Sequence, residues 1–450
     1  MGFAWDVFGD GKTAMRGGFG ITVGRNWDVD HIGAKGAGQG PLMVPPNFLA
    51  PTILYTTFQN LASSQAYYTP QNLIGGNPNE KPQKTYNWSF GIQRELPFGL
   101  MADVSYVANA LKNGYGQMYD GNAVAPLTTW KPSGCASPIV VGGISSGCPQ
   151  SQFVDPTSNP ANPGYYSTNL IRNMVGYKSV GNIIDYTQSY TNNYNSLQAQ
   201  LNRRRGKVQW NLNYTWSRLI VYNGYGNGNF YQFVNAQLMK NVANRRHAIN
   251  FNFGYDLPTA SQHFGNDFGK SFAKVVLDGW HLNGNGAIYA GTPYSVGCGA
   301  TGQPSQYWTG TPTAYLPFRC QMGSDIFLPN GTLPSATEDP RLQIPLNKAN
   351  FVLPSATSMG IGNTPMTLFY GPWMWNLDFS LAKMTKITEK AALEIRIETF
   401  NTLNHMNPNN PNTGLTWNFT TGAQTNAAFG TIQGAQVDPR RVVMSARVRF

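Results

Sequence analysis

The chain has 450 residues, of which 41% are hydrophobic, 13% aromatic and only 12% charged, with a formal net charge of +11. Soluble domains average about 25% charged residues, so this is not the composition of an ordinary soluble enzyme. A mean hydropathy of -0.32, with no apolar run of roughly 18 residues, excludes a helical membrane protein.

The positive charge does not point to nucleic acid. The cations are dispersed apart from Arg203-Arg204-Arg205-Gly206-Lys207, which falls between two strand patterns where a hairpin turn is expected. Turns at a membrane surface tolerate cations because they meet anionic lipid head groups there.

Alternation with period two dominates the chain from its start. Phe3, Trp5 and Val7 lead to a turn at Gly9-Asp10-Gly11-Lys12, and Met15, Gly17, Phe19, Ile21 and Val23 follow on one face. Tyr86, Trp88, Phe90, Ile92 and Leu96 alternate with polar residues, and Pro97-Phe98-Gly99 returns the chain through Ala102, Val104 and Tyr106. A third pair covers about 192–204 and 207–220. In it Val208, Trp210, Leu212, Tyr214 and Trp216 oppose Gln209, Asn211, Asn213, Thr215 and Ser217. Ile249, Phe251, Phe253 and Tyr255 come next, then Trp280, Leu282 and Ile288. Trp373, Trp375, Leu377, Phe379 and Leu381 precede a turn near Thr388-Glu389-Lys390, and Leu393, Ile395 and Ile397 follow it. The last strand carries Val442, Met444, Ala446 and Val448 and closes on Phe450. Successive side chains of a strand point to opposite faces, so each segment has one apolar and one wet face.

This makes about eleven strands. The stretches 26–84, 110–191, 221–244, 297–370 and 402–440 are rich in Gly, Pro, Asn, Ser and Thr. Loops of this length are uncommon in compact soluble domains. With the last strand ending in the periplasm and direction reversing at each strand, every tight turn falls on the periplasmic side and every long stretch outside. The only periplasmic connection of any length is 258–278. The pattern predicts an all-β fold, an antiparallel transmembrane β-barrel with long extracellular loops. The first strand then runs parallel to the last, so an even-stranded wall needs an odd number of further strands. Eleven more would give the roughly 22-stranded plugged transporter class. Met1 is followed at once by a strand pattern with no basic leader or cleavage site, so the expectation is the back part of a longer protein.

Several pieces resemble a known family. They include Lys12-Thr13-Ala14-Met15-Arg16-Gly17-Gly18-Phe19-Gly20, Asn87-Trp88-Ser89-Phe90-Gly91-Ile92-Gln93-Arg94-Glu95-Leu96, Tyr194-Asn195-Ser196-Leu197-Gln198 and Asn213-Tyr214-Thr215-Trp216-Ser217. Phe400-Asn401-Thr402-Leu403-Asn404-His405, Phe429-Gly430-Thr431 and Asp438-Pro439-Arg440 follow in order. Together they resemble the carboxy-terminal half of Oar-like TonB-dependent outer-membrane receptors, which carry a carboxypeptidase-regulatory-like front domain. The resemblance implies an outer-membrane barrel segment for uptake of an unknown extracellular substrate, with adhesion or secretion-related work in some relatives. Residues 1–450 correspond to the barrel's carboxy-terminal part, the plug and front domains being absent, so TonB would act only through upstream regions. Phe450 then resembles the terminal aromatic signal read by the barrel assembly machinery.

The candidate site residues follow from the faces. Trp210, Leu212, Tyr214, Trp216, Phe251, Phe253, Trp373, Trp375, Leu377 and Phe379 are expected to meet outer-membrane lipid. Glu394, Arg396 and Glu398 are expected to face the lumen, along a transport path or as pairs gripping a plug. Cys135 and Cys148, and Cys298 and Cys320, form two local groups in loops, which favours disulfides in an oxidising compartment over free thiols while leaving the pairing open. No catalytic constellation is apparent, so no enzyme, cofactor or metal is expected. His405, beside Asn404 and Asn407, reads as a loop hydrogen-bonding residue ahead of a metal ligand. The competing class is a secreted all-β protein that binds glycan or another surface through its loops.

Overall fold

In the computed structural model the described residues are 1–24, 71–76, 81–114, 117–120, 140–141, 144–145, 180–187, 190–223, 240–263, 265, 267–301, 319–333, 339, 342–352, 362–389, 391–418 and 423–450. Eleven strands form one antiparallel path: β1 (Gly2–Asp6), β2 (Thr13–Gly24), β3 (Gln83–Leu96), β4 (Leu100–Gly114), β5 (Tyr190–Arg203), β6 (Val208–Asn223), β7 (His247–Asp256), β8 (Trp280–Tyr289), β9 (Met374–Lys386), β10 (Ala392–Phe400) and β11 (Arg441–Arg449). Sequence order is spatial order throughout, and Lys240–Val242 adds a short strand beside β6. Several strands run deeper than their alternation suggests. β4 continues to Gly114 and β6 to Asn223, into stretches whose composition reads as loop.

Tight turns join β1–β2, β3–β4, β5–β6 and β9–β10, all on one rim. The first is built by its own side chains. Asp6 accepts from the Gly11 amide (2.8 Å) and Asp10 from that of Lys12 (2.9 Å), while Gly9 and Gly11 take positive φ. In the second, Phe98 (φ 65°) and Gly99 (φ 70°) both sit in the left-handed region, the backbone of a tight hairpin. The connection from β7 to β8 lies on the same rim and contains a 3-10 turn (Ala260–His263) and helix α1 (Asp267–Val276). The sequence marks this connection by its length alone, and the structure adds the helix.

The register aligns the alternating faces across the whole path. Leu201, Leu212, Phe251, Gly286 and Leu377 are successive partners, as are Arg203, Trp210, Phe253, Gly284 and Phe379. Farther on, Leu381 meets Ile397, which meets Met444. The opposite face carries Asn202, Asn211, Asn252, Asn285 and Asp378 in one row. On the apolar face Phe3 overlies Gly17, Phe251 overlies Gly286 and Phe253 overlies Gly284, so closely that a Cβ at each glycine would overlap the ring. An aromatic laid over a cross-strand glycine fixes local register, because a shift of one residue sends the ring to the other face.

The apolar face does not close into a dry core. Trp5, Phe19, Ile21, Ile92, Val104, Leu212, Trp216 and Met444 are all exposed. The largest buried cluster among the described residues lies elsewhere, beyond the rim that carries the long connections. Val296, Cys298, Cys320, Leu346, Phe351, Phe369, Leu415, Trp417 and Phe429 pack together there. Gly297–Thr301 pairs in parallel with Gly414–Asn418, and Pro293–Tyr294 and Gln321–Met322 pair with Phe369–Tyr370 and Phe351–Val352. The stretches 297–370 and 402–440, irregular by composition, thus contain a folded cap with its own core.

Candidate functional site

The wet face of the sheet and the cap define the candidate site. At the short-turn rim, Glu394 of β10 is the centre of a charged cluster. Its carboxylate takes Arg396 at 2.6 Å and also Arg449 of β11, and Arg396 reaches Glu398 at 3.4 Å. The Glu394 side chain is only 9% exposed. Residues two apart on one strand share a face, and register puts Arg447 opposite Glu394, so two carboxylates and three guanidinium groups occupy one patch. On the same rim the Ser261 hydroxyl and amide both donate to Asp278, at 2.5 and 3.0 Å, and hold its carboxyl below the usual carboxylate range.

Toward the other rim the face is lined by amides and hydroxyls. Tyr289 donates to Asn250 (2.6 Å) and Asn376 to Asp378 (2.8 Å). Ser196, 1% exposed, donates to the Val107 carbonyl (2.9 Å). The Asn376 Oδ1 and Ser380 Oγ atoms are buried without a partner. Unpaired buried acceptors of this kind favour a polar ligand or water.

The segment after β10 ties wall and cap together through carboxamides that imitate backbone. Asn401, at φ 50°, accepts from the His405 amide (2.9 Å) and donates to the carbonyls of His405 (3.0 Å) and Asp438 (3.1 Å). Asn404 accepts from the Arg440 amide (2.9 Å). Asn407, fully buried, accepts from Trp375 N (2.8 Å) and donates to Trp375 O (2.9 Å), as a strand partner would. His405 stacks on Trp375 at 4.0 Å between centroids. The asparagines of Phe400-Asn401-Thr402-Leu403-Asn404-His405-Met406-Asn407 therefore serve the geometry at the rim of the long connections, positioning the starts of β9 and β11. Among the described residues no three His, Cys, Asp or Glu side chains gather as metal ligands would.

Cys298 and Cys320 are joined by a disulfide across 22 residues of sequence, inside the cap core. Cys135 and Cys148 lie outside the described residues. Burial pushes the Tyr294 phenol, at the edge of this core, up to about 12. Below the cap, Arg245 donates to the Ala290 carbonyl (2.9 Å) and to Gln436 (3.1 Å), fastening the cap to the start of β7. The cap's visible marks in the sequence are its disulfide cysteines and Trp417.

The register places Trp210, Leu212, Tyr214, Trp216, Phe251, Phe253, Trp375, Leu377 and Phe379 on one face of β6, β7 and β9, opposite to that of Glu394, Arg396 and Glu398. Trp373 precedes β9 and stacks on His247 at 5.8 Å, and His247 stacks on Tyr214 at 6.1 Å. Phe450 lies just beyond β11 and is fully exposed.

No curated protein matches the sequence. Among solved structures, the chain resembles the outer membrane transporter YddB from Escherichia coli (10% identity, TM-score 0.44), covering 99% of this chain and 39% of that one. It also resembles the FrpB iron transporter from Neisseria meningitidis (7%, TM-score 0.40, covering 99% and 38%). A third is the pyoverdine outer membrane receptor FpvA from Pseudomonas aeruginosa (9%, TM-score 0.39, covering 100% and 35%). The chain thus spans less than two-fifths of the length of each. The family model described as "Outer membrane beta barrel domain" matches residues 1–443, nearly the whole sequence. With its eleven-strand antiparallel path and exposed apolar face, the chain belongs to the outer-membrane β-barrel domain family and is a protein of the outer membrane.

Proposed function

We propose that residues 1–450 form the carboxy-terminal wall of a plugged TonB-dependent receptor resembling the Oar-like group, which takes up an extracellular substrate whose identity the sequence does not encode legibly. The observation that carries this reading is the open sheet. Its edges, β1 and β11, run in the same direction and do not pair with each other. Lipid does not tolerate unpaired strand edges, and an antiparallel wall needs an odd number of further strands between these two. A plug and a TonB-contacting segment would come from outside residues 1–450.

In this reading the short-turn rim is periplasmic and the cap extracellular. The face of Trp210, Leu212, Tyr214, Trp216, Phe251, Phe253, Trp375, Leu377 and Phe379 meets lipid, with Trp373 beside it at the outer rim. The row of asparagines and the cluster of Glu394, Arg396 and Glu398 face the lumen, where charge is paired, hydrated or set against a plug. Phe450 presents its aromatic ring to the assembly machinery.

Imaging of the full-length gene product in lipid nanodiscs tests the proposal. The expected result is a wall of roughly 22 strands around a filled interior. A wall closed by β1 directly against β11 would refute it.

A further inference from the structure

Helix α1 carries an apolar surface that the barrel does not use. Phe272 is 60%, Val275 56%, Val276 39% and Leu277 42% exposed, while Ala273 is completely buried. At 100° per residue, Phe272, Val275 and Val276 share one arc, and Lys274 points the opposite way. Ala273 sits between the two, on the buried side, and the helix packs against the 3-10 turn at Ala260–His263.

The fastenings of the helix fix which side of the wall it occupies. The Trp280 indole donates to the Val276 carbonyl at 3.0 Å. Lys383 donates to the Asp278 carbonyl at 2.7 Å and lies over the Trp280 ring at 5.2 Å. Trp280 and Lys383 are register partners one step of two from Leu282 and Leu381, so both belong to the apolar face. The carboxy-terminal turn of α1 is therefore held by outward-pointing side chains. A cation there also suits the negative end of the helix. Ser261, bonded to Asp278 through both amide and hydroxyl, and Gly279 at φ 78° fix the exit from the helix.

We propose that α1 is a membrane-surface helix, seated on the outside of the periplasmic rim with Phe272, Val275 and Val276 in the glycerophospholipid of the adjoining leaflet. The inference rests on the assignment of the apolar face to lipid and the short turns to the periplasm. It is lipid, not a protein partner, because the side chains that fasten the helix, Trp280 and Lys383, themselves stand on the apolar face of the wall. Leu257, also exposed, donates its amide to the Trp280 carbonyl. An aromatic and a cation at the junction are the usual side chains of a membrane–water boundary. Amphipathic helices of this kind bury their apolar face about 5–10 Å into the head-group boundary.

Photo-crosslinking in whole outer membranes tests this with the full-length gene product. p-Benzoylphenylalanine is placed singly at Phe272, Val275, Lys274 and, as a wall control, Leu212, and adducts are identified by mass spectrometry. The expected result is phospholipid adducts at Phe272 and Val275 in roughly tenfold excess over Lys274, as buried and wet faces of one interfacial helix should differ. Equal lipid yield at Phe272 and Lys274, or protein adducts in place of lipid at Phe272, with Leu212 still labelling lipid, would overturn the helix assignment alone. Absence of lipid adducts at Leu212 would instead sink the lipid-facing wall, and the helix proposal with it.

Discussion

Replacing Phe251 by arginine is the sharpest perturbation of the wall. Phe251 lies four residues from one end of β7 and five from the other. At about 3.4 Å per residue and a tilt of about 40°, four residues descend roughly 10 Å, close to the middle of an apolar band about 25 Å tall. Its register partners are Leu212 and Gly286, and Leu377 follows, so no polar group on that face flanks it. An arginine stem is too short to reach either rim, and a cation at that depth costs about 2–4 kcal/mol. That is roughly a 30- to 1,000-fold shift in the folding equilibrium. Asn252, the next residue, is exposed on the opposite face, and Asn252→Arg is expected to change stability little. Urea titration of the full-length gene product in phospholipid vesicles, read by band shift on unheated gels, measures both. Equal loss in the two variants, or a Phe251→Arg protein that folds normally in water without detergent, would refute the assignment of faces.

Gly286→Ala forces the Phe251 ring off its glycine and is expected to cost about 1–3 kcal/mol as an overpacking change, measured in the same titration. Cys298→Ser removes a link that closes 22 residues and is worth roughly 3 kcal/mol in such a loop. Limited proteolysis should then cut the cap sooner while the wall stays resistant. Tyr294 gives a pH signature for the cap. Its folded value of about 12 lies above the ordinary 10, so the stability it contributes is complete below pH 10 and is lost as pH rises toward 12. The absorbance titration of Tyr294, isolated as the difference from Tyr294→Phe, should show the delayed ionisation.

The wall was legible because alternation is strict where an exposed apolar face and a polar face share one strand. Val208 through Trp216 and Trp375 through Leu381 carry no helical period, and their partners carry the same pattern in register. Turns were legible through Gly9, Gly11 and Gly99, where left-handed backbone is needed. The cap was not legible. Its core residues Val296, Leu346, Phe351, Leu415 and Phe429 stand far apart among polar neighbours, buried by irregular backbone that leaves no period. Helix α1 is ten residues long with Gly269 inside it, too short to stand out from the surrounding connection, although Phe272, Val275 and Val276 already share one side. The roles of Asn401, Asn404 and Asn407 were equally hidden, because a carboxamide that substitutes for backbone has no pattern beyond its own spacing.

Spin labels moved one residue at a time along β6, from Val208 to Ser217, test the orientation of the wall most directly. Oxygen concentrates in lipid and a nickel chelate in water. Oxygen access is expected to peak at Trp210, Leu212, Tyr214 and Trp216, and chelate access at Gln209, Asn211, Asn213 and Thr215. Apolar positions closed to both reagents would mean that the tryptophans and leucines meet one another in a dry interior, and the barrel would be the wrong fold.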